Sequence, residues 1–129
     1  MAHPNEELIQ KGYDAFGKGD LDALNDLFAD DIKWHTPGRS PIAGDLEGRD
    51  AVYGQFAKIA ELSGGSFRLE IHDMLANDEH GVALVTAMGD RGGRSFSDNQ
   101  VHVFHIKGGK VTEFWGHPGD QYAADEFWS

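Results

Sequence analysis

Two periodicities divide this chain, and their order most constrains the fold. Leu8, Ile9, Tyr13 and Phe16 recur with the three- and four-residue spacing of an amphipathic helix that begins near Asn5. The same spacing predicts a second helix after residue 20, whose apolar stripe ends at residue 28, and a third over residues 49–62. Strand-like alternation is found at residues 32–36, 66–75, 81–89, 95–107 and 110–117.

Helices followed by strands favour an α+β domain, with helices on one face of an antiparallel sheet. The sheet is predicted to combine the early strand with a four-strand meander, while residues 38–48 are predicted as a loop. Residues 120–129 are predicted as a short helix or a docked tail. We expect one domain over residues 1–129, because a chain of this length supports a single core.

The charge balance excludes several classes of partner. With 11 Lys and Arg against 22 Asp and Glu, the formal net charge is −11, which disfavours binding to nucleic acid or anionic membranes. The absence of cysteine removes thiolate nucleophiles and disulfides. The acidic start, residues 1–7, is unlike a signal peptide, and no apolar run approaches the roughly 20 residues of a membrane span. We therefore expect a cytoplasmic protein.

Among seven histidines, His102 is the strongest candidate for acid-base chemistry. Gln100, His102 and Phe104 share one face of a predicted strand, and histidine is the side chain whose ordinary pKa lies nearest neutrality. If this face lines a cavity, burial should depress the pKa of His102. A satisfied structural histidine is the alternative interpretation.

His35 is a second candidate, although alternation places it on the strand face opposite Trp34 and Thr36 unless Pro37 bends the strand. A metal site is not expected, because strand residues three apart, such as His102 and His105, point to opposite faces. No HExxH pairing is present, and no cofactor motif is complete.

Five short motifs, taken together, resemble a known family. They are FADD at residues 28–31, WHxPG at 34–38, GRDAV at 48–52, VHVF at 101–104 and GKVxExW at 109–115. Their order and spacing resemble a SnoaL-like member of the nuclear transport factor 2-like (NTF2-like) superfamily, related to ketosteroid isomerases. The resemblance implies a cone-shaped α+β domain, with a curved mixed sheet wrapped around three helices and a deep apolar pocket. It also implies a homodimer formed through the outer face of the sheet.

The resemblance does not supply the isomerase catalytic carboxylates. Thr36 stands where ketosteroid isomerases place an aspartate base, and a threonine is no base at neutral pH. Their oxyanion-hole tyrosine falls at Gly12, next to Tyr13, and their protonated aspartate falls at His102. His102 is therefore the substitute for the acid-base group of related cyclases.

These observations predict a pocket for a small apolar, oxygenated metabolite such as a polyketide, terpenoid or steroid-like ring. The reaction would be an isomerisation, an aldol-type cyclisation or a dehydration, and the alternative is a non-catalytic ligand-binding or dimeric interaction domain. The catalytic candidates are His102 and His35. The expected walls and polar contacts of the pocket are Tyr13, Trp34, Thr36, Phe56, Phe104 and Trp115.

Overall fold

The computed structural model describes residues 3–129, so the first two residues of the acidic start lie outside the described part of the chain. Four helices and six strands follow one another along the sequence. The helices are α1 (Pro4–Lys18), α2 (Leu21–Leu27), α3 (Arg49–Ser63) and α4 (Gln121–Trp128). The strands are β1 (Phe28–Thr36), β2 (Gly44–Glu47), β3 (Arg68–Ala76), β4 (His80–Arg91), β5 (Arg94–Lys107) and β6 (Lys110–His117).

All six strands form one mixed sheet in the order β2-β1-β6-β5-β4-β3. Strands β3 to β6 form the predicted antiparallel meander, while β1 pairs with β6 in parallel. The curved sheet and the helices packed against it confirm the α+β, NTF2-like architecture. Along the chain that the structure describes, no helix is long and apolar enough to cross a bilayer.

The helix ends follow local chemistry. The His3 ring accepts the Asn5 amide at 3.0 Å, while the Glu6 carboxylate accepts the His3 amide at 2.7 Å, so two backbone amides at the start of α1 are satisfied. The helix ends at Gly19, whose φ of 66° is a left-handed conformation that glycine adopts without strain. The Asp120 side chain caps α4 by accepting the Ala123 amide at 3.0 Å.

Two apolar clusters fill the space between sheet and helices. The larger joins α1, α2 and α3 to the sheet around Ile9, Leu24, Ile32 and Val52, which are the most completely buried large side chains. The smaller lies under α4 and includes Phe127. The C-terminal segment is the helix α4, which buries Phe127 and Trp128, so the helical alternative is correct.

The structure corrects two predicted boundaries. Phe28 was expected to close the apolar stripe of α2, but its extended backbone begins β1 and pairs with Val111. The segment predicted as a loop contains β2, which pairs antiparallel with β1 and places Leu46 opposite Trp34. The sheet therefore has one edge strand more than expected, and the helices number one more than the three implied by the resemblance.

Candidate functional site

A cavity of about 140 Å³ lies between the curved sheet and helices α1, α3 and α4. Its wall is mainly aromatic and aliphatic. Trp34 stacks on Phe114 with ring centroids 3.8 Å apart, and Phe56 packs edge-on against Trp34 at 5.4 Å. The mouth includes the exposed Pro37, so the cavity reaches the surface beside α4. Such a concave apolar site with a few polar groups is typical of small-molecule binding.

Close packing of α4 against the loop after β1 forms the mouth. Asp125 of α4 accepts the Arg39 amide at 3.0 Å and the Gln121 side-chain amide at 3.1 Å. Gly38 has a φ of 100°, a left-handed conformation that other residues rarely adopt, and a Cβ there would collide with the Asp125 carboxylate. A glycine is therefore required where the loop meets the helix.

Six of the eight predicted site residues line this cavity. His102 and the aromatic and polar residues of the expected wall are brought together from α1, β1, α3 and β5. They are Tyr13, Trp34, Thr36, Phe56, His102 and Phe104.

His102 is held at both ring nitrogens. Its Nδ1 lies 2.6 Å from the Tyr13 hydroxyl, and its Nε2 lies 3.1 Å from Gln100 Oε1. The residue is 6% exposed, and burial lowers the pKa of His102 to about 4, with a smaller electrostatic contribution from His117. His102 is therefore a neutral imidazole at pH 7.

Tyr13 is the neighbour of His102 on the cavity wall. Burial raises the pKa of the Tyr13 phenol far above its ordinary value, so the hydroxyl keeps its proton at neutral pH. Because both nitrogens of His102 already have partners, a ligand in the cavity would meet the imidazole through the Tyr13 oxygen.

The structure places the other two predicted residues, His35 and Trp115, outside the cavity. His35 lies on the outer face of β1, where Nδ1 is 2.7 Å from Asp45 and Nε2 is 2.6 Å from Glu113. Trp115 stacks on the His35 ring with centroids 5.2 Å apart. Trp115 is therefore not a wall of this cavity, and His35 lies on the face to which strand alternation assigned it, away from the cavity.

A bulge in β6 explains the error at Trp115. His105 pairs with Glu113 but Ile106 pairs with Val111, so one extra residue interrupts the ladder. Strict alternation from the buried Val111 would bring Trp115 to the cavity face. After the bulge it is Phe114 that turns inward.

Among the polar residues in and beside the cavity that were not predicted, three are hydrogen-bonded to predicted site residues or to their partners. Gln55 lines the cavity from α3, and Gln100 and Asp98 extend the polar row that begins at His102. A sequence signal existed for each of them. Gln55 lies at helical spacing from Val52, and Asp98 shares the strand parity of Gln100 and His102. Within residues 3–129, no group of three or more His, Asp or Glu side chains is placed to hold a metal ion.

One protein family and several known proteins are similar to this chain. The SnoaL-like domain family matches residues 9–114. The chain belongs to the SnoaL-like family. The structure of Bal32a, from a soil-derived mobile gene cassette, is 38% identical, covers 97% of this chain and 96% of its own, and superposes with a TM-score of 0.93.

More distant relatives of this SnoaL-like protein also match over almost their full length. A protein of unknown function with a cystatin-like fold from Xanthomonas campestris is 25% identical, with a TM-score of 0.89 and coverage of 95% and 96%. An uncharacterized protein of Mycobacterium tuberculosis is 27% identical over 124 residues, 95% of each chain.

Two solved structures of lower identity share the fold. IdmH of Streptomyces antibioticus, a candidate polyketide cyclase, is 20% identical with a TM-score of 0.76 and coverage of 91% and 93%. A Mycobacterium tuberculosis epoxide hydrolase of the LEH-like type is 16% identical with a TM-score of 0.74 and coverage of 95% and 87%. At this identity the likeness concerns architecture, and the chemistry must be argued from the residues of this site.

Proposed function

We propose that this SnoaL-like protein binds an apolar, oxygenated metabolite and catalyses proton transfer on it. The observation that carries the proposal is the hydrogen bond of 2.6 Å between the Tyr13 hydroxyl and His102 Nδ1 on the wall of an otherwise apolar cavity. Tyr13 is the group that touches the ligand, and His102 exchanges a proton with Tyr13. The reaction is an isomerisation, an aldol-type cyclisation or a dehydration.

The protonation states support this assignment. With its pKa near 4, His102 is neutral at pH 7 and accepts a proton only as charge develops on the ligand. The surrounding apolar wall excludes water, which strengthens the hydrogen bonds that stabilise that charge.

The ligand is identified first, by native mass spectrometry of the purified protein and of the small molecules that it releases. Turnover of that ligand is then compared in wild type, Tyr13→Phe and His102→Gln. We expect each substitution to lower kcat by about 10² to 10⁴, because positioned acid-base catalysis contributes that much. Tyr53→Phe is the matched control, since the Tyr53 hydroxyl donates to Asn25 at 2.8 Å and Tyr53 does not line the cavity.

A non-catalytic ligand-binding domain is the second candidate. It is favoured by the two hydrogen bonds that already satisfy His102 within the protein. Recovery of a bound ligand that the wild type leaves chemically unchanged, together with weaker binding of that ligand by Tyr13→Phe, would establish this second function and exclude the first.

We extend the proposal to a homodimer formed through the outer face of the sheet. Trp115 is half-buried on that face and Val101 is 37% exposed, which leaves apolar surface for a second copy. Light scattering after size-exclusion chromatography should give the mass of a dimer for wild type and of a monomer for Val101→Glu. Equal masses for the two proteins at the monomer value would contradict this part. A cytoplasmic location remains a prediction from composition.

A further inference from the structure

A row of hydrogen bonds runs from the buried Asp98 to the cavity wall. The Asp98 carboxyl oxygens accept the backbone amides of Gly119 at 3.2 Å and Asp120 at 3.1 Å. One of them also accepts the side-chain amide of Gln100 at 3.2 Å. Asp98, Gln100 and His102 occupy alternate positions of β5, so they face the same side of the sheet.

This row fixes the orientation of the Gln100 amide. Both oxygens of Asp98 act as acceptors, so Gln100 must turn its NH₂ group toward Asp98. The carbonyl Oε1 of Gln100 then faces His102 Nε2, at 3.1 Å. The reverse orientation would set the Gln100 oxygen against the Asp98 oxygen, with no hydrogen between them.

The Gln100 carbonyl in turn fixes the tautomer of His102. A carbonyl oxygen only accepts, so Nε2 carries the hydrogen of the neutral ring and Nδ1 is left bare. Nδ1 therefore accepts the Tyr13 hydroxyl hydrogen across 2.6 Å. Because that is the only hydrogen on the Tyr13 oxygen, Tyr13 presents lone pairs to the cavity and no donor.

Gln55 presents a second acceptor to the same cavity. Its NH₂ group donates to Thr36 Oγ1 at 2.9 Å and to the Ile42 carbonyl at 2.8 Å, which fixes the orientation of this amide as well. Within residues 3–129 its Oε1 accepts no hydrogen bond and is not among the fully buried polar atoms. The Thr36 hydroxyl hydrogen remains available, so a ligand hydroxyl bound there can donate to Gln55 and accept from Thr36.

Given the proposed function, on which this inference rests, we propose that the ligand is a hydroxyl compound, an alcohol, phenol or enol whose O–H donates to Tyr13 Oη. Asp98 and Gln100 are positioning residues that hold Tyr13 as an acceptor through His102. A ketone or ether oxygen finds no donor at Tyr13. The pocket therefore selects for the hydroxyl form of an oxygenated ring at this wall.

The same arrangement defines the proton path. The ligand O–H bond breaks and its proton moves to Tyr13 Oη, while the original Tyr13 proton moves to His102 Nδ1. The products are a ligand oxyanion, a neutral tyrosine and an imidazolium whose Nε2–H still donates to Gln100. The reverse transfer returns the proton when the ligand is reprotonated.

The tautomer is tested without any activity. In a ¹⁵N-labelled sample, ¹⁵N–¹H correlation spectra assign the His102 ring by its loss in His102→Gln. We expect the Nε2–H form in wild type and a substantial Nδ1–H population in Gln100→Leu, which lacks the acceptor. Asn99→Leu is the matched control on the opposite face of β5, and it should keep the Nε2–H form. An Nδ1–H ring in wild type would overturn the proposal.

The ligand class is tested with two probes of nearly equal size, 1-indanol and 1-indanone, titrated by NMR. We expect the alcohol to bind wild type about 5- to 10-fold more tightly, as one net hydrogen bond allows, and this preference to fall in Tyr13→Phe, where only Gln55 is left to accept the hydroxyl hydrogen. A preference for the ketone in wild type would overturn the inference. If neither probe binds although the expected tautomer is present, the proposed small-molecule pocket and the ligand class are both contradicted. The positioning role of Gln100 would still be established by the tautomer.

Discussion

Two histidines on opposite faces of the same sheet differ in what surrounds them. His102 faces the cavity and contacts only neutral partners, so burial lowers its pKa to about 4. His35 faces outward between two carboxylates, and the hydrogen bond that its ring donates to Asp45 raises its pKa, with burial opposing the shift and Glu113 adding to it. The pair shows that burial without a carboxylate lowers the pKa of a histidine, whereas carboxylate neighbours raise it on the same sheet.

The two aromatic neighbours of these histidines provide the largest expected contrast. Trp34 is 8% exposed and packs on Phe114, whereas Trp115 is half-buried beside His35. We expect Trp34→Ala to lower the free energy of unfolding by about 3–5 kcal/mol, because it removes a buried aromatic ring and leaves a void. We expect Trp115→Ala to cost about 1–2 kcal/mol, since part of that ring is already in water.

Urea unfolding at pH 7 measures both values. Wild type and both variants should be studied at low protein concentration. Self-association through the outer face would otherwise stabilise wild type and Trp34→Ala, which keep Trp115, more than Trp115→Ala. Equal losses for the two variants would contradict the distinction between an inner and an outer face.

Much of this architecture follows from periodicity, and the exceptions have identifiable causes. Phe28 continues the apolar face of α2 by spacing alone, yet pairing with Val111 draws it into β1. The four residues of β2 carry little strand propensity and are held by their ladder with β1. Local sequence determines strong amphipathic elements, while an edge strand depends on the partner that the rest of the fold provides.

The site was predictable to the extent that strand parity is preserved. On β5 the parity is unbroken, so His102 and Phe104 face the cavity as expected. On β6 the bulge shifts the parity, and Trp115 lies on the outer face with His35. A bulge depends on how two strands pair, which a single sequence does not specify.

The second prediction concerns acid stability. The folded pKa of His102, about 4, lies below the unfolded value of about 6.5. Between these two pH values the unfolded chain therefore binds more protons than the folded protein. This contribution to stability is fully present above pH 6.5 and is lost as pH falls toward 4. We expect wild type to lose about 3 kcal/mol more than His102→Gln between pH 7 and pH 4.

The measurement is urea unfolding at both values of pH, with His72→Gln as the control for an exposed histidine of β3. His72→Gln should follow wild type. An identical pH dependence in wild type and His102→Gln would show that the imidazole is not held neutral, and the contrast between the two faces would fail.

His35 has the smallest expected effect on stability, and its contribution changes with pH in the direction opposite to that of His102. Its folded pKa is raised, so its contribution to stability is fully present below the unfolded value of about 6.5 and is lost as pH rises through the folded pKa. Asp45 is 83% exposed, and solvent screens that ion pair, so we expect His35→Gln to cost about 1 kcal/mol at pH 6 and less at pH 9.

The shared carboxylate allows a control for His35→Gln. His105 lies 3.6 Å from Glu113, beyond hydrogen-bond distance, and is 44% exposed, so His105→Gln should change stability less at pH 6. The loss of unfolding free energy in His35→Gln should be smaller at 500 mM NaCl than at 20 mM NaCl, because salt screens exposed ion pairs. A cost for His35→Gln that grew with pH would mean that the pKa of His35 is lowered rather than raised. The two faces would then no longer shift the pKa of a histidine in opposite directions.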